Sequence, residues 1–307
     1  MSSNFTYGGQ AVIEGVMIRG QRVVSLAVRR PAGAIALHTR ILSSIYTGSL
    51  RKIPFLRGII VLVETLVLGV RALTFAANIA LEEEQQELSS WSLAGIMTIS
   101  LGIGVGLFFL APLLVIQFID AQLPSPFLGH VVEGFIRIVI FAAYIVVIGF
   151  MPDIRRVFAY HGAEHMTVHA HEAGDSLAVS AIRKYPTAHP RCGTAFLLVV
   201  MVVAILVFSL VGRPSLWIQL GSRIVLLPVI AGISYELLRL SGARAGNALV
   251  RLIAYPSLSL QALTTRQPED QQIEVAICAM QGALAADEKP VGKANETGWV
   301  EQGIETD

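Results

Sequence analysis

The sequence predicts an all-α integral membrane protein: about four transmembrane helices plus a re-entrant or interfacial helix, with a small cytoplasmic β-hairpin and a C-terminal amphipathic helix. Composition is the first ground for this. Hydrophobic residues make up 54% of the 307 and charged residues only 15%, against roughly 25% charged in an average globular chain. The second is where charge is missing. Nothing ionisable lies between Glu87 and Asp120, and only Cys192 lies between Arg191 and Arg213; such runs of more than about 18 residues read as membrane spans rather than core helices. The third is that Lys and Arg gather in alternate connections, which sets an orientation. The chain has two cysteines, Cys192 and Cys278, which excludes a disulfide scaffold. A net charge of +1 gives no ground for a nucleic-acid partner, so the lipid bilayer is the expected one.

Residues 1–54 are expected to form a cytoplasmic segment. Met1 to Tyr7 is polar and does not lead into an apolar run, so no signal peptide is expected. Val23 to Val28 and Ala34 to His38 are β-prone, and Arg30-Pro31-Ala32-Gly33 between them supplies a hairpin turn. In residues 55–86, Phe55 to Leu81 is long and apolar enough for a fifth span. It carries Arg57, Glu64, Arg71 and Asn78, spaced by seven, which form one polar stripe on a helix. Crossing here would put the basic N-terminal region outside, so a helix dipping into or lying along the membrane is preferred to a true span. The four spans are then Leu88 to Ile119, Phe127 to Phe150, Gly193 to Val211 and Leu216 to Leu238. Gly102 and Gly106 form a GxxxG pair in the first.

Basic residues fall before the first span, in 151–192 and after the fourth. The connection from Asp120 to Gly129 has none, and the one after the third span has only Arg213. The positive-inside rule therefore puts both termini and the 151–192 loop in the cytoplasm of a multi-pass protein of the cell (inner) membrane. Residues 241–286 are read as a cytoplasmic segment. In it Pro268-Glu269-Asp270 opens a helix whose Ile273, Ala276, Ile277, Met280 and Leu284 repeat at helical spacing. Residues 287–307 are polar and read as a disordered tail. Arg223 and Glu236 read as boundary anchors, Glu133 and Arg137 as a simple i,i+4 pair, and Cys278 as packing.

The 152–192 segment holds the chemistry. His161, His165, His169, His171 and His189, five of the seven histidines, fall within it. Tyr160-His161-Gly162-Ala163-Glu164-His165 contains H-x-x-E-H, the inverted zincin motif. Histidines at i and i+4 share a helix face and can share a metal, while the intervening carboxylate can take a proton from water activated at the ion. A helix is expected because Pro152 and Asp153 open it and Gly174 can close it. His165, Glu172 and His169 lie within about 80° of His161 on the helical wheel. Glu172, however, is about 10 Å along the axis from His165, too far to join the same ion. The third ligand is expected from His189 or Cys192, in His189-Pro190-Arg191-Cys192-Gly193. His189 with Cys192 as base and nucleophile is a weaker reading, and a solvated polar helix without metal is the bland one.

Gly8-Gly9-Gln10-Ala11-Val12-Ile13-Glu14-Gly15-Val16-Met17 with Arg19-Gly20, and Leu56-Arg57-Gly58 with Val63-Glu64-Thr65-Leu66, resemble the YqhQ-like family of bacterial polytopic membrane proteins. So do Tyr160 to His165, His189-Pro190-Arg191-Cys192-Gly193-Thr194, Ala231-Gly232-Ile233-Ser234-Tyr235-Glu236, Leu263-Thr264-Thr265-Arg266 and Gln272-Ile273-Glu274-Val275-Ala276-Ile277. The resemblance covers about residues 7 to 285. It implies a family of uncharacterised function, labelled at most a predicted metal-dependent enzyme. The chain departs from the family pattern at Met166, where the family usually has Lys. It departs again at Ala170-His171-Glu172, where the family often has Cys-Tyr-Glu. The Gly8–Gly20 stretch lacks a Gly-Lys-Ser/Thr ending, so it is no phosphate loop; a structural loop docked under the bundle is expected.

The functional expectation is a metal-dependent, hydrolase-like membrane enzyme. His161 and His165 bind a divalent metal, Zn²⁺ first, with His189 or Cys192 completing the site, and Glu164 is the general base. The rival is a non-enzymatic scaffold or transporter with a structural or sensory metal/His cluster. A transporter should place charges within its spans, and the third span has none.

Overall fold

The computed structural model describes residues 5–80, 89–119, 123, 125–190, 192–212, 215–243, 247–288 and 298–302. It has a sheet-and-helix unit joined to a set of apolar helices. The chain is mostly helical, as expected, and the expected hairpin is enlarged to an antiparallel sheet in the N-terminal region. Strands β1 (Gly8–Val12), β2 (Gly15–Arg19), β3 (Val23–Arg29) and β4 (Ile35–Ile41) run as a meander. The expected hairpin is β3–β4, and its turn places Gly33 at φ 93°, a conformation that favours glycine. Strands β1 and β2 occupy the glycine-rich Gly8–Gly20 stretch, which is sheet rather than the expected loop. β5 (Val300–Gln302) pairs with β4 and comes from the tail that was read as disordered.

Period-two alternation explains why this sheet is covered on both sides. Val16 and Ile18 of β2 and Ala27 of β3 face one core, while Met17, Val24, Leu26 and Val28 face the other. The first core is closed by α6 (Pro152–Glu172) and α12 (Asp270–Glu288). The expected C-terminal helix is α12. It is amphipathic as expected: Ile273, Ala276 and Met280 are buried on one broad face together with Val275, Ala279 and Ala283, while Gln271, Glu274, Gln281 and Ala285 on the opposite face are exposed. The second core is closed by Leu68, Ala72, Ala76 and Ile79 of α2 (Leu56–Ala80). Before α2 lie the short α1 (Ser44–Thr47) and a 3₁₀ turn, Ser49–Lys52.

Two of the four residues of the polar stripe of α2 face protein, while Arg71 and Asn78 are exposed. Glu64, 3% exposed, accepts Arg19 Nε at 3.0 Å and Arg51 Nη1 at 2.8 Å, and Arg57 pairs with Glu236. Glu236 is therefore an inter-helix partner rather than a boundary anchor.

Three helices among the described residues are long and apolar enough to cross a membrane: α2; the run through α3 (Ser90–Val105), a π-turn at Gly106–Leu110 and α4 (Ala111–Ile119); and α5 (Pro126–Ile148). Helices α9 (Leu216–Val225) and α10 (Leu227–Ala243) count as a fourth if taken as one span, bent by 45°. Pro228 explains the break, since it lacks an N–H and its ring crowds the carbonyl four residues back. After the short α7 (Val179–Ile182), α8 (Gly193–Val211) has the bounds expected for the third span, and it packs on α10 through Val203, Ala204 and Ile230. Gly102 and Gly106 have no neighbour within 4 Å of a built Cβ among the described residues, so the GxxxG pair makes no helix contact here. Helix α11 (Ala248–Thr264) was not expected, because Pro256 interrupts its pattern.

Candidate metal centre

Helix α6 begins with Pro152 at its first turn and ends before Gly174, at φ 73°, as its sequence leads one to expect. Its histidine face meets the 187–192 loop and the end of α11. His161 and His165 have ring centroids 4.3 Å apart, as i,i+4 geometry requires. Cys192 Sγ lies 3.2 Å from His161 Nε2. His161, His165 and Cys192 each offer one ligand atom within 4.8 Å of the others.

The protonation of these rings follows from their partners. A carbonyl oxygen can only accept, so a ring nitrogen bonded to one must carry the proton. His161 Nδ1–H donates to Thr264 O at 2.9 Å, and His165 Nδ1–H donates to Thr187 O at 2.6 Å. In the neutral tautomer this leaves the lone pair of each imidazole on Nε2. This is the arrangement that orients metal-ligating histidines. Two imidazoles and a thiol are a donor set for a borderline-soft divalent ion. The His161–Cys192 separation is close to the roughly 3.6 Å that tetrahedral Zn–N and Zn–S bonds imply.

His189 was expected at this site as an alternative to Cys192. It instead groups with His169 and Glu172, all three within 4.8 Å, with His189 Nε2 3.4 Å from Glu172 Oε2. Its ring is 4.4 Å from that of His169 and 5.7 Å from that of His165. Gln261, fully buried on α11, holds the loop by accepting from His189 N at 2.8 Å and donating to His189 O at 2.8 Å. Sequence reasoning missed Gln261, because nothing near it in the chain marks it.

Glu164 lies beside His165, with Oε2 3.5 Å from Nε2. It is 3% exposed and turned toward β1. Burial pushes its carboxyl above the usual carboxylate range, while His161, His189 and the Gly9 amide pull it back. Gly9 is required by this approach: a Cβ there would collide with Met17 O and sit 3.0 Å from Glu164 Cγ. The same strand pair docks through its turn. Glu14, at φ 51°, accepts Arg156 Nε at 2.6 Å and Nη2 at 2.5 Å, and also Tyr160 Oη–H at 3.2 Å. Burial and then Glu14 push the Tyr160 hydroxyl above its ordinary pKa.

Residues 53–286 match the family model described as "Protein of unknown function (DUF1385)". The chain belongs to this family. It is also 34% identical over 295 residues to a protein described as "Uncharacterized protein YqhQ" of Bacillus subtilis (strain 168), covering 88% of this chain and 90% of the other. No solved structure matches. The stretch that matches the DUF1385 model includes both donor groups and Gln261, whereas Gly9 and Glu14 precede it.

Proposed function

We propose that this chain is a metal-dependent, hydrolase-like enzyme of the cell membrane, with its centre at the cytoplasmic membrane surface. His161, His165 and Cys192 hold a divalent ion, Zn²⁺ first, because imidazole and thiolate together suit it. The observation that carries this reading is the three convergent donors, with both Nδ1 protons committed to backbone carbonyls. A divalent ion held there supplies Lewis acidity. Glu164, next to His165, accepts the proton of the attacking water on its carboxylate and returns it to the leaving group. His161 and His165 present Nε2 to the ion, their Nδ1–H groups held by Thr264 O and Thr187 O. The substrate is a lipid or a membrane-proximal molecule, since α6 follows α5 after a short turn and α8 starts directly after Cys192.

A structural or sensory ion is the second reading, favoured by the near-complete burial of Glu164 and His165. One pair of variants separates the two. Protein purified without a His tag is expected to carry near-stoichiometric Zn, Mn or Fe, lost in His161→Ala/His165→Ala. Glu164→Gln is expected to keep the metal and fail to complement whatever phenotype a deletion strain shows. If Glu164→Gln complements like wild type while His161→Ala fails, the ion is structural or regulatory. Metal-free protein that is folded and functional removes both readings.

A further inference from the structure

We propose that the centre holds two cations, the second bound by His169, Glu172 and His189. The argument starts from distance along α6. His161, His165, His169 and Glu172 occupy i, i+4, i+8 and i+11 on one side of the helix, a line about 16 Å long at 1.5 Å per residue. One ion cannot reach both ends of that line. The structure divides the donors accordingly, into His161/His165/Cys192 and His169/Glu172/His189. The 187–192 loop runs beside the helix and gives one donor to each group.

The second group has the chemistry of a site in its own right. His189 Nε2 and Glu172 Oε2 are 3.4 Å apart, the spacing that two tetrahedral donors at about 2.1 Å from one ion adopt. His169 Nε2–H donates to Ala188 O at 2.9 Å, which leaves its lone pair on Nδ1. His169 thus has a carbonyl partner of the kind that orients His161 and His165. His189 is 4% exposed, and Gln261 fixes its backbone on both sides, so this donor is positioned before any ion arrives. The Cys192 thiolate, Glu164 and Glu172 would offset most of the charge of two divalent ions. This extends the reading of the first centre, and the experiment below reads each ion separately.

The test is Co²⁺ titration of the full chain in detergent. Absorption from thiolate-to-cobalt charge transfer reports the Cys192 group alone. Wild type is expected to bind two equivalents, one of which brings the thiolate band. Glu172→Gln and His169→Ala/Glu172→Gln are expected to bind one equivalent and keep the band; Glu172 is exposed, so the single variant tests the site without disturbing the core. His161→Ala/Cys192→Ser is expected to bind one equivalent without the band. A single equivalent in wild type, with the band and indifferent to Glu172→Gln, overturns the second site and leaves the first. A single bandless equivalent, lost in His169→Ala/Glu172→Gln, supports the second site and overturns the first. Two equivalents that persist in His169→Ala/Glu172→Gln would place the extra ion elsewhere and also overturn the proposal.

Discussion

At the level of single residues, close backbone approach and burial decide what the chain tolerates. Gly162 sits in α6 between the two proposed ligands, and a Cβ there would collide with the carbonyl of Arg266. Backbone cannot swing aside as a flexible side chain would. Gly162→Ala is therefore expected to destabilise the protein by about 1–3 kcal/mol, read as a lowered midpoint of thermal unfolding in detergent. An unchanged midpoint would contradict the packing of α6 against residue 266. Cys278 gives a second test. Burial pushes its thiol up to about 11, and only the thiolate alkylates. At pH 8 its labelling by iodoacetamide should be at least about a hundredfold slower than in unfolded chain, where the pKa is about 8.5. The rate should climb until the pH passes about 11. Labelling at the unfolded rate would show that Cys278 is open to solvent. The i,i+4 spacing made the neighbouring rings of His161 and His165 legible in the sequence, and the helical rise separates Glu172 from that pair. Which of His189 and Cys192 joins them was not legible, because residues in a loop carry no fixed distance to a helix.

At the level of elements, the apolar helices were the most legible part, and their irregularities the least. The π-turn at Gly106–Leu110 precedes Pro112, whose missing N–H deprives the Phe108 carbonyl of its helical partner. Arg137 Nε fills the gap, donating to Phe108 O at 2.9 Å. An unpaired carbonyl in an apolar layer is costly, so this side chain repairs the helix that the proline interrupts. Arg137 Nη2 also meets Glu133 Oε1 at 2.7 Å, and Arg223 Nη1 meets the same oxygen at 2.7 Å. Read from sequence alone, Glu133–Arg137 was an ordinary i,i+4 pair and Arg223 an anchor; the structure makes them one buried triad linking α5 to α9. Removing its single anion leaves two guanidinium groups facing each other in apolar surroundings. Glu133→Ala is expected to cost about 3–5 kcal/mol, measured by unfolding in detergent or nanodiscs. A cost below about 1 kcal/mol would mean that water reaches the triad. Strands β1 and β2 escaped the sequence reading because Gly8, Gly9 and Gly15 break the pattern that marks strands. They pair because Gly9 and Gly15 admit a neighbouring backbone that a Cβ would strike.

For the molecule as a whole, the packing of the sheet unit restricts how the chain can thread a bilayer. Strands β1 and β2 precede α2, yet they pack on α6, which follows α5: Gly9 lies against Glu164, and Glu14 pairs with Arg156. Segments in contact lie on one side of a membrane, so the number of crossings between them is even. Three helices intervene with the length to cross: α2, α3–α4 and α5. One of them must stay on the side of the sheet, and α2 is the candidate, because Leu68, Ala72, Ala76 and Ile79 are buried against the sheet rather than turned to lipid. Of its polar stripe, Glu64 is held by Arg19 and Arg51, and Arg57 by Glu236. The same parity applies between α6 and α12, which also pack together; if the bent α9–α10 pair crosses, the shorter apolar α8 is the candidate for the second crossing. The basic residues of 1–54, 151–192 and the C-terminal segment are then expected to share one compartment, the cytoplasm by the positive-inside rule. Reporter fusions after Glu87, at Ser125, at Ser180, at Ser215 and at the C-terminus are expected to read in, out, in, out, in. An external signal after Glu87 with an internal one at Ser180 would make α2 a true span and remove a different helix from the bilayer. An external signal at Ser180 alone would separate α6 from the N-terminal strands, and with it the cytoplasmic placement of both donor groups would fall.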